Sequence, residues 1–151
     1  MSCFYKDGLN FSCDRGCRDC CANEPGLVFL SKVDIENIAK AVNLTFDETV
    51  EVYTRRFKSE GGEDLLVLKE YSNNDCIFLK ENGCSIYQNR PIQCITYPFW
   101  KRIIESKESW DDEKTYCKGI NSKDGFVSKD DIDFLVSLYE NNLRNLYTPG
   151  E

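Results

Sequence analysis

The sequence predicts a small, irregular α+β fold in which a helical hairpin, a C-terminal helix and short strands surround a group of cysteines. The chain has 151 residues, the usual size of one domain. Apolar residues recur at helical spacing in three stretches, and nine cysteines lie mostly in segments without a regular pattern. We therefore expect residues 1–151 to form a single domain.

The amino-terminal segment is expected to be irregular. Residues 1–26 are rich in Cys, Asp, Asn and Gly and show no helical period, which is typical of a loop wrapped around a bound group. The apolar run at 27–30 has the length of a short strand. Ser31 and Asp34 then resemble a helix-capping pair and predict a helix that extends to about Val42.

A second helix is predicted to follow directly. Thr45 and Glu48 repeat the capping pattern, and apolar residues keep helical spacing as far as Phe57. Gly61 and Gly62 then end the element. The two helices would form a hairpin.

Short strands are predicted between this hairpin and the last helix. The apolar runs at 65–68 and 76–79 have strand length. Residues 81–83, with the sequence Glu-Asn-Gly, predict a tight turn that leads into the run at 84–87. Cys76 lies before this turn and Cys84 directly after it.

A last helix is predicted over residues 128–147. Ser128 and Asp131 form its capping pair, and an apolar stripe runs along one face. Such a stripe nearly always contacts the core, although it can also be a face that binds a partner. The stripe consists of Ile132, Leu135, Val136, Tyr139, Leu143 and Leu146.

Charge and terminal sequence restrict the class of protein. The formal net charge of -7 argues against a nucleic-acid partner, because such affinity comes largely from Lys and Arg. The first residues lack the basic and apolar regions of a signal peptide, and no apolar run approaches the length of a membrane span. We expect a cytoplasmic protein without a membrane partner.

Nine cysteines without any histidine point to a thiolate metal site. A reducing cytoplasm removes disulfides as the usual reason for many cysteines. A Cys/His zinc finger is excluded because there is no imidazole, and soft thiolates select zinc, copper(I) or iron–sulfur chemistry. The predicted fold elements would therefore surround a cysteine-ligated metal centre.

Eight of the nine cysteines are candidate ligands, and Cys3 is not one of them. They form a first block of four within residues 13–21 and a second block of four within residues 76–117. Close gaps in the first block let a looping backbone bring its thiolates to one point. The peptide between Cys20 and Cys21 is rigid, so the two thiolates would serve different metal ions, or only one of them would bind. The second block is spread out, with gaps of 7, 9 and 22 residues. The predicted ligands are Cys13, Cys17, Cys20, Cys21, Cys76, Cys84, Cys94 and Cys117.

These residues carry a resemblance to a known family. The matching features are the block at 13–21, the step Leu30-Ser31-x-x-Asp34, the run at 76–79 and the string CSIYQNRPIQCITYPF at 84–99. The chain resembles the YkgJ-like cysteine-cluster family, the CxxCxxCC zinc- or iron-chelating domain, over about residues 13–117. It departs from the family pattern in one place, with three residues rather than two in the first gap.

The resemblance implies metal binding and leaves the reaction open. The cofactor would be an iron–sulfur cluster, with the 4Fe-4S type favoured, or zinc or iron ions. Some relatives are associated with protein-lysine methylation and others are described as iron–sulfur oxidoreductases. Redox or protein-modification activity, with a protein partner or protein substrate, is therefore expected.

Two further residues are candidates for contact with the cofactor. Arg90 could offset the surplus negative charge of bound thiolates, and Tyr97 could belong to a wall, with Tyr87 and Phe99, that excludes water. In the alternative interpretation Arg90 pairs with a surface carboxylate and Pro91 simply starts a short helix. Glu24 could supply an oxygen ligand, although a turn is the favoured interpretation there.

Two other functions compete with this one. A structural zinc module could present its helices to a protein partner, and a disulfide-stapled or redox-switch protein would also use many cysteines. No phosphate-binding loop, serine-hydrolase elbow, HExxH or dinucleotide fingerprint is present. Phosphoryl transfer, serine hydrolysis and nicotinamide chemistry are therefore without support.

Overall fold

The computed structural model describes residues 3–13, 27–73, 75–81 and 83–149. Over these ranges the chain is a small mixed α+β fold, as predicted, and its short strands pair antiparallel as β1 with β6, β2 with β3 and β4 with β5. The helices are α1 (Lys32–Val42), α2 (Phe46–Tyr53), α3 (Ile92–Thr96), α4 (Lys107–Asp112) and α5 (Lys129–Leu143). The strands are β1 (Leu9–Asn10), β2 (Thr54–Lys58), β3 (Asp64–Leu68), β4 (Leu79–Lys80), β5 (Gly83–Cys84) and β6 (Phe126–Val127).

The predicted helical hairpin is confirmed. At the start of α1 the Ser31 hydroxyl accepts from the Asp34 N–H at 3.2 Å, and the Asp34 carboxylate accepts from the Ser31 N–H at 3.0 Å. Thr45 and Glu48 form the same reciprocal cap on α2. These caps satisfy amide groups that a helix start leaves without partners. The two helices pack against each other.

The second helix is shorter than predicted. It ends at Tyr53, and Phe57 lies on β2 opposite Leu65 of β3. The Thr54 hydroxyl donates to the Val50 carbonyl at 2.6 Å as the chain turns out of the helix. Pairing with the buried strand β3 outweighs the helical spacing of the apolar residues, since strand formation depends on cross-strand partners more than on local pattern.

Residues 27–30 extend the β2–β3 sheet on its other edge. The Leu30 N–H donates to the Leu66 carbonyl and the Leu68 N–H to the Val28 carbonyl, each at 3.1 Å. The predicted strand therefore exists as an extended segment with a single bridge, between Phe29 and Val67. A first hydrophobic core lies against this sheet and α1. Its buried members are Leu30, Ile35, Ile38, Leu66, Leu68, Phe78 and Ile86.

The run at 76–79 is only partly a strand. Cys76 makes a single bridge to Glu70, the next two residues form a turn, and only Leu79 continues into β4. The reversal of the chain expected from the predicted turn is confirmed, because β4 and β5 pair antiparallel with Lys80 opposite Gly83. Gly83 has φ +101°, a conformation that favours glycine.

The described part of the amino terminus is more regular than predicted. Strand β1 pairs with β6, which lies just before α5, while residues 14–26 of the predicted loop lie outside the described residues. A second hydrophobic core forms between this strand pair and α5. Its buried members are Phe99, Ile103, Ile104, Trp110, Ile120 and Ile132.

The last helix begins at its predicted cap and ends earlier than predicted. The Ser128 hydroxyl accepts from the Asp131 N–H at 3.2 Å. Leu143, predicted to lie in the apolar stripe, is exposed, whereas Asn142 is buried. Leu146 lies beyond the helix in a bridge with Ser31. In the part of the chain that the structure describes, no helix has the length and apolar character needed to cross a bilayer.

Candidate metal centre

Five of the eight predicted ligands lie within the described residues. Cys13 is exposed, whereas the other four are partly buried. The predicted ligands Cys17, Cys20 and Cys21, together with Glu24, lie outside the described residues. The partly buried cysteines are Cys76, Cys84, Cys94 and Cys117.

The beginning of the first block is attached to the segment that follows Cys117. The N–H of Ser12, next to Cys13, donates to the Gly119 carbonyl at 3.3 Å. The approach requires glycine, because a Cβ on Gly119 would lie 2.3 Å from the Ser12 carbonyl oxygen. Phe11 is held in the same way, with its N–H donating to the Gly125 carbonyl at 3.1 Å. The structure thus brings the segment of Cys13 to the segment of Cys117.

Cys94 and Cys117 lie in segments that are also joined to each other. Cys94 is on α3, and three residues later the Tyr97 hydroxyl donates to the Glu113 carboxylate. The Glu113 carbonyl in turn accepts from the Cys117 N–H at 3.0 Å. Glu113 is buried, so its contact with Tyr97 is a fixed part of the fold and not a surface contact.

The residues that follow the first block are attached to α3. The side chain of Gln93, adjacent to Cys94, donates from Nε2 to the Leu27 carbonyl at 2.6 Å. Its Oε1 accepts from the Phe29 N–H at 3.0 Å. Both flanks of the first block, at Ser12 and at 27–29, are therefore held by segments that carry cysteines of the second block.

Cys76 and Cys84 lie together at the β4–β5 turn. Leu79 is directly opposite Cys84, and the Leu79 N–H donates to the Cys76 carbonyl at 2.9 Å. Both cysteines pack against the first hydrophobic core. Both cysteines are thus connected to Leu79, and both lie against buried apolar side chains.

Asp34 fixes the start of α3 and joins it to two other helices. Its carboxylate is almost fully buried, at 1% exposed, and belongs to α1. Oδ1 accepts from the Ile92 N–H at 2.9 Å, at the start of α3. Oδ2 accepts from the Asn142 amide of α5 at 3.1 Å as well as from the Ser31 N–H. The position of the Cys94 helix is thus set by hydrogen bonds from distant parts of the chain.

Arg90 lies next to the Cys94 helix. Its Nε donates to the Tyr87 carbonyl at 3.0 Å and its Nη1 to the Cys94 carbonyl at 3.5 Å, and the guanidinium carbon is 3.9 Å from the centroid of the Tyr87 ring. No carboxylate of the described residues forms an ion pair with Arg90, and the surface-pair alternative stays open. Pro91 does precede the short helix α3, as that alternative expected.

The aromatic residues after Cys94 pack against other aromatic rings. Phe99 is buried and stacks on Trp110, with ring centroids 5.4 Å apart. Tyr97 contacts Trp100 edge to face at 5.0 Å. The predicted contact of Arg90 and Tyr97 with a cofactor stays a prediction.

Cys3 lies near the amino terminus, beside residues that contact α5. It is close to Tyr5, whose hydroxyl donates to Asp133 of α5 at 3.1 Å. Burial, together with this hydrogen bond, raises the pKa of Tyr5 to about 12. Cys3 also lies close enough to Lys129 to contribute to the raised pKa of that ammonium group, whose largest cause is a hydrogen bond to Asp133. Its exclusion from the metal centre stays a prediction.

The donor set fits zinc, iron or an iron–sulfur cluster in chemical type. Thiolates are soft ligands, and the chain has no imidazole to complete a mixed site. Within residues 3–13, 27–73, 75–81 and 83–149, no three Cys, Asp or Glu side chains are close enough to hold one ion. In the proposed ligand set, the described cysteines would need thiolates of residues 17–21 to complete a site.

Sequence reasoning missed three side chains that shape this region. Gln93 and Glu113 were not singled out, because their partners are distant in sequence or lie in an irregular segment. Asn142 could have been predicted as a buried polar residue, because it lies three residues after Tyr139, on the face of α5 that the sequence predicts to be buried. A polar residue at such a position indicates a buried hydrogen-bond partner.

Comparison with known proteins identifies the family. The model of the CxxCxxCC family, described as "Putative zinc- or iron-chelating domain", matches residues 12–118, which confirms the resemblance. Uncharacterized protein MJ0661 of Methanocaldococcus jannaschii is 32% identical over 130 residues, which cover 82% of this chain and 65% of that protein. The chain thus spans less than two thirds of that relative's length. No solved structure is a significant match. The chain belongs to the CxxCxxCC family of zinc- or iron-chelating domains.

Proposed function

We propose that the chain holds an iron–sulfur cluster, or thiolate-bound zinc or iron, between its two cysteine blocks and uses it in redox or protein-modification chemistry. A protein is the proposed partner or substrate. The proposed ligands are Cys13, Cys17, Cys20, Cys21, Cys76, Cys84, Cys94 and Cys117.

One observation carries this proposal. Ser12 is bonded to Gly119, two residues from Cys117, and Leu27 and Phe29 are bonded to Gln93, next to Cys94. The described residues on both sides of the first block are thus bonded to segments that carry cysteines of the second block. Such an arrangement favours two sets of thiolates meeting at one place.

The surrounding residues have defined roles in the proposed centre. Arg90 would offset thiolate charge from its position beside the Cys94 backbone. The Tyr97–Glu113 hydrogen bond would fix the spacing between the segments of Cys94 and Cys117, and the Phe99–Trp110 stack would exclude water. A bound iron–sulfur cluster would supply one-electron transfer, whereas zinc would supply a cross-link or a Lewis acid.

Metal and sulfide analysis after anaerobic purification tests the proposal. We expect stoichiometric iron with acid-labile sulfide, or stoichiometric zinc or iron without sulfide. The matched control is Cys3→Ser, which removes a thiol outside the predicted ligand set and should keep the full metal content. Protein purified anaerobically without any bound metal would refute the proposal, and metal loss in Cys3→Ser would show that the ligand set is wrong.

A structural zinc module is the second candidate function. Phe126 and Phe134 are 64% and 63% exposed, and exposed apolar residues of this size favour contact with a protein partner. Absorption in the visible range separates the two functions, since zinc thiolates are colourless and iron–sulfur clusters are not. A colourless protein with stoichiometric zinc would favour the module.

We further predict that the two blocks share one polynuclear centre. Cys20 and Cys21 are adjacent and would face different metal ions, so the loss of one ligand should disturb its neighbours. Cys21→Ser and Cys94→Ser are each expected to disrupt the whole centre, and the double variant should lose little more than either single one. Metal content and spectra of the three variants check this. If each single variant instead loses a fixed fraction of the metal, the double variant loses the sum of the two fractions, and the remaining metal keeps its spectrum, the two blocks form independent sites.

A further inference from the structure

We propose that Gln93 is a positioning residue of the metal centre. Its side-chain amide holds the segment that leaves the first cysteine block against the helix that carries Cys94, so that the two sets of thiolates meet in a fixed geometry. This inference rests on the proposed function, because it concerns how the proposed ligands are brought together.

The Gln93 side-chain amide makes the two hydrogen bonds that a neighbouring β-strand would otherwise make to residues 27–29. Along 27–30, the Val28 carbonyl and the Leu30 N–H point to β3, where they bond to Leu68 and Leu66. The Leu27 carbonyl and the Phe29 N–H face the opposite side, as alternation along a strand requires. Gln93 supplies the donor and the acceptor that this second edge lacks, at 2.6 and 3.0 Å.

The chemistry of this contact is specific to an amide. Gln93 is buried, at 9% exposed, and uses its NH₂ group as donor and its oxygen as acceptor at the same time. A carboxylate could accept from the Phe29 N–H but could not donate to the Leu27 carbonyl. An apolar side chain of similar size would leave both backbone groups without these partners.

The position of the helix makes the contact relevant to the metal. Helix α3 has five residues and is too short to be stable alone, so its orientation depends on external anchors. Two consecutive residues supply them: Ile92 bonds to the Asp34 carboxylate and Gln93 bonds to the 27–29 segment. Together they fix the rotation of the helix and hence the direction of Cys94.

Gln93→Leu is the variant that tests this role. Metal release into excess EDTA is followed by elemental analysis of the anaerobically purified protein. We expect release on the order of 10- to 100-fold faster than from the unmodified protein, if the loss of metal affinity that follows loss of a ligand-orienting residue is expressed in the release rate. The Co²⁺-reconstituted variant should also show a shifted thiolate absorption band, which a loss of stability alone would not produce.

Two controls separate positioning from stability. Gln88→Leu changes the chain's other glutamine, which is exposed, and should release metal at the unmodified rate. Ile38→Val destabilises the first core but leaves both Gln93 hydrogen bonds in place, and it should release metal more slowly than Gln93→Leu when the two variants are compared at equal loss of melting temperature. Release from Gln93→Leu at the rate of either control would overturn the proposal.

A measurement without any variant covers the case in which Gln93→Leu does not fold. Hydrogen exchange at the Phe29 amide should be slower in the metal-bound protein than in the metal-free protein, because the Gln93 contact joins this amide to the metal-ligand helix. Equal exchange rates would overturn the proposal.

The results separate this proposal from the proposed function. A wild-type chain without metal would refute the proposed function, and the positioning role with it. Normal metal content with an unaltered Gln93→Leu release rate would refute the positioning role alone.

Discussion

Removal of the metal is expected to unfold much of the chain and to lower its melting temperature by more than 10 °C. The segment from Cys76 to Cys117 contains strands of two residues and helices of five and six residues, which have little stability of their own. Metal binding to structural thiolate sites contributes folding free energy directly. A loss of about 5 kcal/mol lowers the melting temperature of a domain of this size by roughly 10–20 °C.

Tryptophan emission reports on this segment, because both tryptophans of the chain lie within it. Trp110 is 1% exposed and stacks on Phe99, and Trp100 stacks on Tyr139 at 4.7 Å. After chelation under reducing conditions, we expect a red shift of the emission and a partial loss of far-UV ellipticity. Reloading with the same metal should reverse both changes and serves as the control. Chelated protein that is free of metal by elemental analysis, yet keeps its emission and melting temperature, would contradict the prediction.

The predictable elements are those determined by local chemistry. Helix α1 could be located from Ser31 and Asp34 because a cap and an apolar face act within one or two turns. The β4–β5 turn was predictable for the same reason, since Gly83 marks a backbone conformation that other residues rarely adopt. In both cases the interacting residues are close in sequence.

The sequence predictions are wrong where contacts with residues far away along the chain determine the local structure. Phe57 keeps the helical spacing of α2, but pairing with β3 places it on a strand. Leu143 keeps the apolar spacing of α5, but the hydrogen bond between Asn142 and Asp34 turns the neighbouring position inward instead. Neither β3 nor Asp34 can be identified as a partner from the neighbouring sequence alone. A periodic pattern indicates which face of an element is buried, but not which residues cover that face.

The sequence yields candidate ligands but not the contacts that support them. Cysteine spacing and the string around Cys94 indicated the ligands, since metal chemistry restricts the side chains that can serve. The hydrogen bonds that hold the Cys94 helix connect residues 66 and 58 positions apart, from Gln93 to Leu27 and from Ile92 to Asp34. Such polar contacts have no periodic signature, so the structure was needed to find them.

Asp34→Asn is expected to destabilise the folded chain by roughly 2–4 kcal/mol, because it breaks a buried hydrogen-bond network that involves a charged group. The carboxylate accepts from Ser31, Ile92 and Asn142 with two oxygens. An asparagine side chain has one oxygen and would place its NH₂ group against at least one of these donors. Buried donors left without an acceptor are costly, and relaxation is limited because Asp34 is 1% exposed.

Urea denaturation of Asp34→Asn beside Glu36→Gln measures this effect. Glu36 is exposed on the same helix, so Glu36→Gln removes an equal charge without breaking the network and should change stability by less than about 0.5 kcal/mol. Because the Ile92 N–H is one of the donors, Asp34→Asn should also lower the metal content, while Glu36→Gln should not. Equal midpoints for the two variants would mean that the Asp34 carboxylate contributes only its charge, and the proposed link between α1, α5 and the Cys94 helix would then be wrong.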